Sequence, residues 1–254
     1  MSSDRRADKG AGDFWDGYVE RWKAEHQNGH PYPGFEWGDQ DLWVDVVEKL
    51  FLANLRGPKR FVEIGSGAGK LTYLVSGAFP GSHFKCFDIS QAFLDELKSR
   101  LPVWMQQDGA DRVVEPILLD PDDPKLMQNH LEKAGWAGQV DCVFSIDAFV
   151  HINFQIAMAY LLTAAKTLRV GGWLILSVAD VSTPAGFQKA VLDITEHFAG
   201  GGAPSSQFQW TAPDMWRVVL TRLGFQSIKP LYLKTNSRDM YLCAQLTNPC
   251  DVNW

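Results

Sequence analysis

The stretch Phe61 to Lys70 places glycine at positions 65, 67 and 69, directly after a short apolar run and directly before a helix-like pattern of Leu71, Leu74 and Val75. Glycines at alternate positions between a strand and a helix demand a tight turn, because glycine tolerates positive φ and lets another group approach the backbone closely. The amides at the start of the helix then offer donors to a negative or polar group. From Lys59 onward, short apolar runs alternate with helical periodicity, as repeated βαβ units of a mostly parallel sheet require. The expected strands are Arg60 to Ile64, His83 to Asp88, Val113 to Leu119, Val140 to Ile146, Gly172 to Val178, Gln226 to Leu233 and Met240 to Leu246. Only Lys234 to Asp239 separates the last two, too short a link for a parallel crossover, so they pair as an antiparallel hairpin. The expected fold is a Rossmann-like three-layer α/β/α arrangement, with a seven-stranded, mostly parallel sheet and an antiparallel C-terminal hairpin strand.

Two segments lie outside that alternation. Residues 1–58 form an N-terminal helical cap, in which Phe14, Trp15, Tyr18, Val19 and Trp22 recur at helical spacing, a Gly- and Pro-rich loop follows, and Asp39 to Leu55 resumes helical periodicity. Residues 59–254 form the main domain, with an insertion at about 180–210 made of a helix from Pro184 to Phe198 and a flexible loop at Gly200 to Ser206. The next helix starts at Thr211 to Asp214, whose spacing fits a capping box.

With 46% apolar and 12% aromatic residues, the 254-residue chain can bury a large core. Its 30 acidic against 24 basic residues leave a formal charge of −6, which disfavours nucleic acid, since phosphate neutralisation needs clustered Lys and Arg. No stretch approaches the roughly 18 apolar residues of a membrane span, and no export signal is visible, so no membrane role is expected. The four cysteines, Cys86, Cys142, Cys243 and Cys250, lack CxxC spacing, and the first three sit in apolar runs. Buried free thiols in a reducing cytoplasm fit that pattern. No metal site is expected from the histidines.

Three readings of the glycine turn compete. A phosphate loop needs four residues between its glycines and Ser or Thr after the lysine, whereas Gly65 and Gly69 have three residues between them and Leu71 follows Lys70. The dinucleotide fingerprint needs glycine where Lys70 stands, which demotes a nicotinamide oxidoreductase without excluding it. The remaining pattern, Glu63-x-Gly65-x-Gly67-x-Gly69, resembles the first motif of class I S-adenosylmethionine-dependent methyltransferases of the small-molecule type. The resemblance extends through the acidic strand ends Asp88, Asp120 and Asp147 and the turn and strand Leu168 to Ser177, and reaches Leu246.

The resemblance implies S-adenosyl-L-methionine as cofactor and S-adenosyl-L-homocysteine as product. It implies a cofactor-binding set of Glu63, Gly65, Ser66, Gly67, Gly69, Asp88, Ile89, Asp120, Ser145 and Asp147, with Asp88 on the ribose and Asp120, or a neighbouring acid of its turn, on the adenine. His151, just beyond the fourth strand, is either a general base or a helix cap, and imidazoles ordinarily titrate near neutrality. Asp147 and Asp180 either touch cofactor or acceptor, or cap turns. Trp15, Tyr18, Trp22, Tyr32, Phe35 and Trp37 form either a hydrophobic lid over the acceptor or ordinary packing. The expected reaction is methyl transfer to oxygen or nitrogen of a small molecule. The alternatives are a protein acceptor and a non-catalytic cofactor-binding subunit; oligomeric state is left open.

Overall fold

In the fold, β1 (Arg60–Ile64) lies between β2 (His83–Asp88) and β4 (Val140–Ser145), and both neighbours run parallel to it. The computed structural model describes residues 9–25, 30–38, 40–57, 59–108, 111–123, 125–198, 208–234 and 237–249. Strands β3 (Val113–Leu118), β5 (Leu168–Asp180), β6 (Trp210–Thr211), β7 (Phe225–Leu231) and β8 (Asp239–Leu246) complete an eight-stranded sheet. Its order is β3-β2-β1-β4-β5-β8-β7, with β6 pairing β5 off that path. β8 is antiparallel to both β5 and β7, as the short link had required. The order reverses between β1 and β4, and ligands of open α/β sheets settle beyond the strand ends at such a switch point.

Alternation along the buried strands sorts the core into two layers. Val62 and Ile64 face one way, into a cluster with Val143, Leu174, Leu176, Leu161 and Leu220. That layer is covered by α5 (Leu126–Lys133), α6 (Phe154–Thr167) and α8 (Pro213–Arg222). Phe61, Phe84, Cys86, Cys142 and Phe144 face the other way, against α2 (Gln40–Val46) and its π-helical continuation Val47–Leu52, α3 (Lys70–Ala78) and α4 (Gln91–Asp108). The Phe61 and Phe84 rings stack at 4.6 Å and 8°. A fully buried ring of this kind contributes about 1.5–3 kcal/mol.

Several boundaries differ from the sequence-based expectation for physical reasons. β5 begins four residues earlier than expected, because the Leu168 end pairs with Val140 across a bulge. The two-residue β6 exists only through its pairing with Ala179 and Asp180. Thr211 is not a capping residue: its hydroxyl donates to the Ala179 carbonyl at 2.8 Å, while Ala212 occupies the N-cap without a side-chain bond. The expected loop at 200–206 and Cys250 lie outside the described residues.

The first 58 residues divide in their packing. Trp43, Val46, Leu50 and Phe51 belong to the same core layer as β1 and β4. By contrast, α1 (Lys9–Glu25) packs on α4, where Asp16 accepts from the Ser90 hydroxyl at 2.6 Å and the Ala92 amide at 3.0 Å. Lys23 also pairs with Glu96.

Candidate active site

The turn after β1 has left-handed backbone at Gly65 (φ +73°), Gly67 (φ +53°) and Gly69 (φ +79°), as the spacing required. Its shape is held from within, since the Gly65 and Ser66 amides both donate to the Phe87 carbonyl and the Gly69 amide donates to that of Ser66. The three glycines differ in what surrounds them. A Cβ on Gly65 would overlap Ala148, and one on Gly69 would overlap Leu97, but one on Gly67 would meet nothing nearer than Phe93 at 3.8 Å. Protein atoms therefore fill the space beside the outer two, whereas Gly67 faces open volume.

That volume has two lobes, and Gly65, Gly67, Trp37, Phe93 and Asp147 line both. The larger, about 260 Å³, runs past Asp88, Ile89, Leu119, Pro121, Ile156 and Tyr160 on one side and Trp15, His151 and Gln209 on the other. The smaller, about 80 Å³, is lined by Glu63, Ser66, Lys70, Trp43 and the Pro33–Gly34 turn. The cavity lies between the N-terminal aromatic segment and Gln209, near the end of the insertion.

Charge is concentrated along the lining. Asp88, at the end of β2, accepts from the Gly67 amide at 2.7 Å and the Ser90 amide at 2.9 Å. Burial raises its pKa to about 6 against the opposing pull of those amides. Asp147 follows β4 with φ +61°, a conformation rare outside glycine, and its amide donates to the Ser177 hydroxyl. Burial and then Asp239 lift its carboxyl to about 7, opposed by Lys70 and Arg238. Glu63 is 3% exposed, takes a hydrogen bond from Thr72, and is pushed by burial up to about 8. Among the described lining residues, Lys70 is the only Lys or Arg.

The expected site residues separate into those on the cavity and those beside it. Glu63, Gly65, Ser66, Gly67, Asp88, Ile89, Asp147, Trp15, Trp37 and His151 line it. Gly69 instead packs on Leu97 and starts α3. Ser145 is buried and donates to the Ile64 carbonyl, bracing β4 against β1. Asp120 is exposed and accepts from the Asp122 amide in its own turn, while Leu119 and Pro121 reach the cavity. Asp180 is fully buried, and accepts from Tyr232 and Ser182 at the end of β5. Trp22 is buried and Tyr18 backs Trp37 at 5.1 Å, so neither lines a lobe. The helix cap considered for His151 is supplied by Asn153, which accepts from the Ile156 amide. The His151 ring lies 5.3 Å from Trp15 and 5.1 Å from Phe208.

Lys70, Phe93, Ala148, Tyr160 and Gln209 were missed by reading the sequence. Only Lys70 carried a signal, its place directly after the last glycine of the turn; the others reach the cavity through tertiary packing.

The open face at Gly67 and the buried Ser66 hydroxyl, which has no hydrogen-bond partner among the described residues, suit a ligand with a sugar and a polar tail. The apolar slot at Ile89, Leu119 and Pro121 suits a flat base. Residues 62–174 match the family model described as a methyltransferase domain. Over those residues the chain carries a methyltransferase domain. The cofactor of such a domain is S-adenosylmethionine, and the lining residues fit it.

No curated protein sequence matches the chain. Solved structures similar to this methyltransferase include magnesium protoporphyrin IX methyltransferase from Synechocystis PCC 6803 with bound S-adenosylhomocysteine, at 19% identity, 93% of this chain, 98% of that one and a TM-score of 0.65. A possible histamine N-methyltransferase from Thermotoga maritima is similar at 12% identity, over 93% of this chain and all of that one, with a TM-score of 0.58. Geranyl diphosphate C-methyltransferase from Streptomyces coelicolor A3(2) is similar at 15% identity, over 92% and 98%, with a TM-score of 0.56. At these identities the likeness concerns the fold.

Proposed function

We propose that this methyltransferase transfers a methyl group from S-adenosylmethionine to an oxygen or nitrogen of a small, flat acceptor that is neutral or cationic. The observation that carries the reading is the cavity on both faces of Gly65 to Gly67, with Asp88 and Asp147 on its wall and, in the larger lobe, aromatic rings but no Lys or Arg among the described lining residues. An anionic acceptor would find no counter-charge there, and burying an unpaired charge is costly.

When bound, the cofactor supplies a sulfonium methyl that is already electrophilic. The chain's task is then to hold and align. Asp88 retains acceptor capacity beyond its two amide bonds and holds the ribose hydroxyls. Ile89, Leu119 and Pro121 would hold the adenine, and Asp147 would hold the ammonium of the amino-acid end. Trp15 and Trp37, drawn from the N-terminal cap of residues 1–58, cover the acceptor and exclude water. Alignment of this kind can lower a barrier by about 7–11 kcal/mol. His151 takes the acceptor's proton when the nucleophile is a hydroxyl or an ammonium-derived amine. The free, buried thiols of Cys86, Cys142 and Cys243 support a reducing compartment such as the cytoplasm. No helix among the described residues is long and apolar enough to cross a membrane.

Calorimetry with S-adenosylhomocysteine beside reduced nicotinamide dinucleotide tests the cofactor, with binding of the first alone expected. Transfer of radiolabelled methyl to a metabolite pool, run beside a protein extract, tests the acceptor. Label appearing only in protein would overturn the small-molecule reading.

A further inference from the structure

Gln209 stands on the wall of the larger lobe because three separate parts of the fold hold it and its neighbours. Its own amide donates to the Val150 carbonyl at 2.7 Å, which ties it to the short turn Phe149–His151. Trp210 and Thr211 form β6 against the end of β5, and the Trp210 indole donates to Asp193 of the helix Pro184–Phe198 at 3.0 Å. On its other side, the Phe208 ring lies 5.1 Å from His151 and 5.5 Å from Trp210, with the Arg238 guanidinium 4.3 Å from its centre. A backbone pinned on both sides is already ordered, so little further entropy is lost when its side chain meets a ligand.

The side chain placed this way is uncommitted. Among the described residues the Gln209 carboxamide has no hydrogen-bond partner, although the residue is half-buried and lines the lobe. Asn153, the other carboxamide on that wall, already accepts from the Ile156 amide as the cap of α6. A carboxamide both donates and accepts, so it pairs with a hydroxyl, an amine or a carbonyl and needs no charge on its partner. Trp15 and Trp37 supply ring surface to the same lobe. In a pocket with largely apolar walls, the few placed polar groups fix the orientation of what binds.

We propose that Gln209 selects the acceptor by hydrogen-bonding a second polar group on it, so that the acceptor class is a flat ring bearing at least two hydrogen-bonding groups, one methylated and one held. The inference rests on the small-molecule methyltransferase reading above and adds the feature that separates its acceptors from simple phenols and amines. An acceptor without the second group leaves the carboxamide unpaired once water is excluded, and sites built to bond such a group reject analogues that lack it. Holding the second group also fixes the rotation of the ring within the lobe, which aligned transfer requires.

The test titrates the full chain, saturated with S-adenosylhomocysteine, with phenol and with catechol, resorcinol and hydroquinone, which add a second hydroxyl at each of the three spacings a benzene ring allows. Ligand-observed NMR reads the affinities. In the parent, at least one dihydroxybenzene is expected to bind about 10-fold tighter than phenol, the size of one hydrogen bond to a group otherwise left unpaired. In Gln209→Leu, which keeps the bulk of the side chain and breaks no hydrogen bond among the described residues, that advantage is expected to vanish, with phenol affinity and Tm as in the parent. Gln209→Met is carried beside it and keeps the comparison open if the leucine variant fails to fold. Dihydroxybenzenes no tighter than phenol in the parent, binding by none of the four, or an advantage that survives both substitutions would overturn the proposal. If S-adenosylhomocysteine itself does not bind the parent, the methyltransferase reading falls and the proposal with it; if it binds and only the hydroxyl comparison fails, that reading stands and the role of Gln209 alone is lost.

Discussion

The Gly67 amide donates to Asp88 Oδ2 at 2.7 Å, so the turn after β1 and the acid at the end of β2 are one hydrogen-bonded unit. Asp88 also accepts from Ser90, whose hydroxyl donates to Asp16 of α1. Replacing Asp88 with Ala removes the acceptor for two amides as well as the proposed ribose contact. S-adenosylhomocysteine affinity is expected to fall by about 1.5–3 kcal/mol, with a loss of Tm beside it. Calorimetry at constant ionic strength checks this, and an unchanged Kd would remove Asp88 from the site.

Gly65 and Gly67 are expected to respond oppositely to alanine. Gly65→Ala combines a left-handed backbone with overlap on Ala148, which predicts lost stability, about 1–2 kcal/mol from the backbone and a further ~1–3 kcal/mol from overpacking. Gly67→Ala has room for its methyl group, with Phe93 at 3.8 Å, so the protein should fold with a modest fall in Tm. Its Cβ occupies space that the ligand needs, and the main loss should be in cofactor affinity. Thermal melts and calorimetry on both variants separate the two effects; equal responses would contradict the packing described.

Glu63 makes stability depend on pH. Its folded pKa, about 8, lies above the ordinary 4.5, so the folded chain holds a proton that the unfolded chain has released across that interval. The stabilisation is complete below pH 4.5 and is lost as pH rises through 8, by up to a few kcal/mol at ~1.4 kcal/mol per pKa unit. Glu63→Gln, which mimics the protonated form, should flatten the fall of a denaturant-stability profile between pH 4.5 and about 8. Parallel profiles for parent and variant would show that Glu63 is ionised in the fold.

His151 is expected to act on the chemical step and not on cofactor binding. His151→Gln and His151→Ala should each reduce the single-turnover rate by about 10²-fold or more, with S-adenosylhomocysteine affinity retained. If both variants keep most of that rate, the base assignment fails and alignment alone drives transfer.

Much of the fold was legible because its signals are local. The runs at Arg60–Ile64 and His83–Asp88 coincide with β1 and β2, since apolar strands flanked by turn residues allow little ambiguity. The helix Pro184–Phe198 was likewise bounded by its own residues. β6 was invisible, because two residues carry no periodicity and Trp210–Thr211 is a strand only by its partner. Thr211 read as a helix cap until β5 took its hydroxyl. The place of Asp88 on the cavity wall was legible because a strand end is a local feature. Asp120 and Asp180 were chosen on the same ground, yet one faces solvent and the other is sealed by Tyr232 and Ser182.

Residue order alone determined the left-handed turn at Gly65 to Gly69, the parallel βαβ succession and the antiparallel final hairpin, because backbone freedom, side-chain alternation and link length are properties of neighbouring residues. Tertiary structure alone decided which aromatic residues of α1 face the cavity, which acids are buried there, and that Lys70 reaches a turn 35 residues away. Those outcomes depend on contacts between distant segments, whose energies are fixed only when the layers close and water leaves.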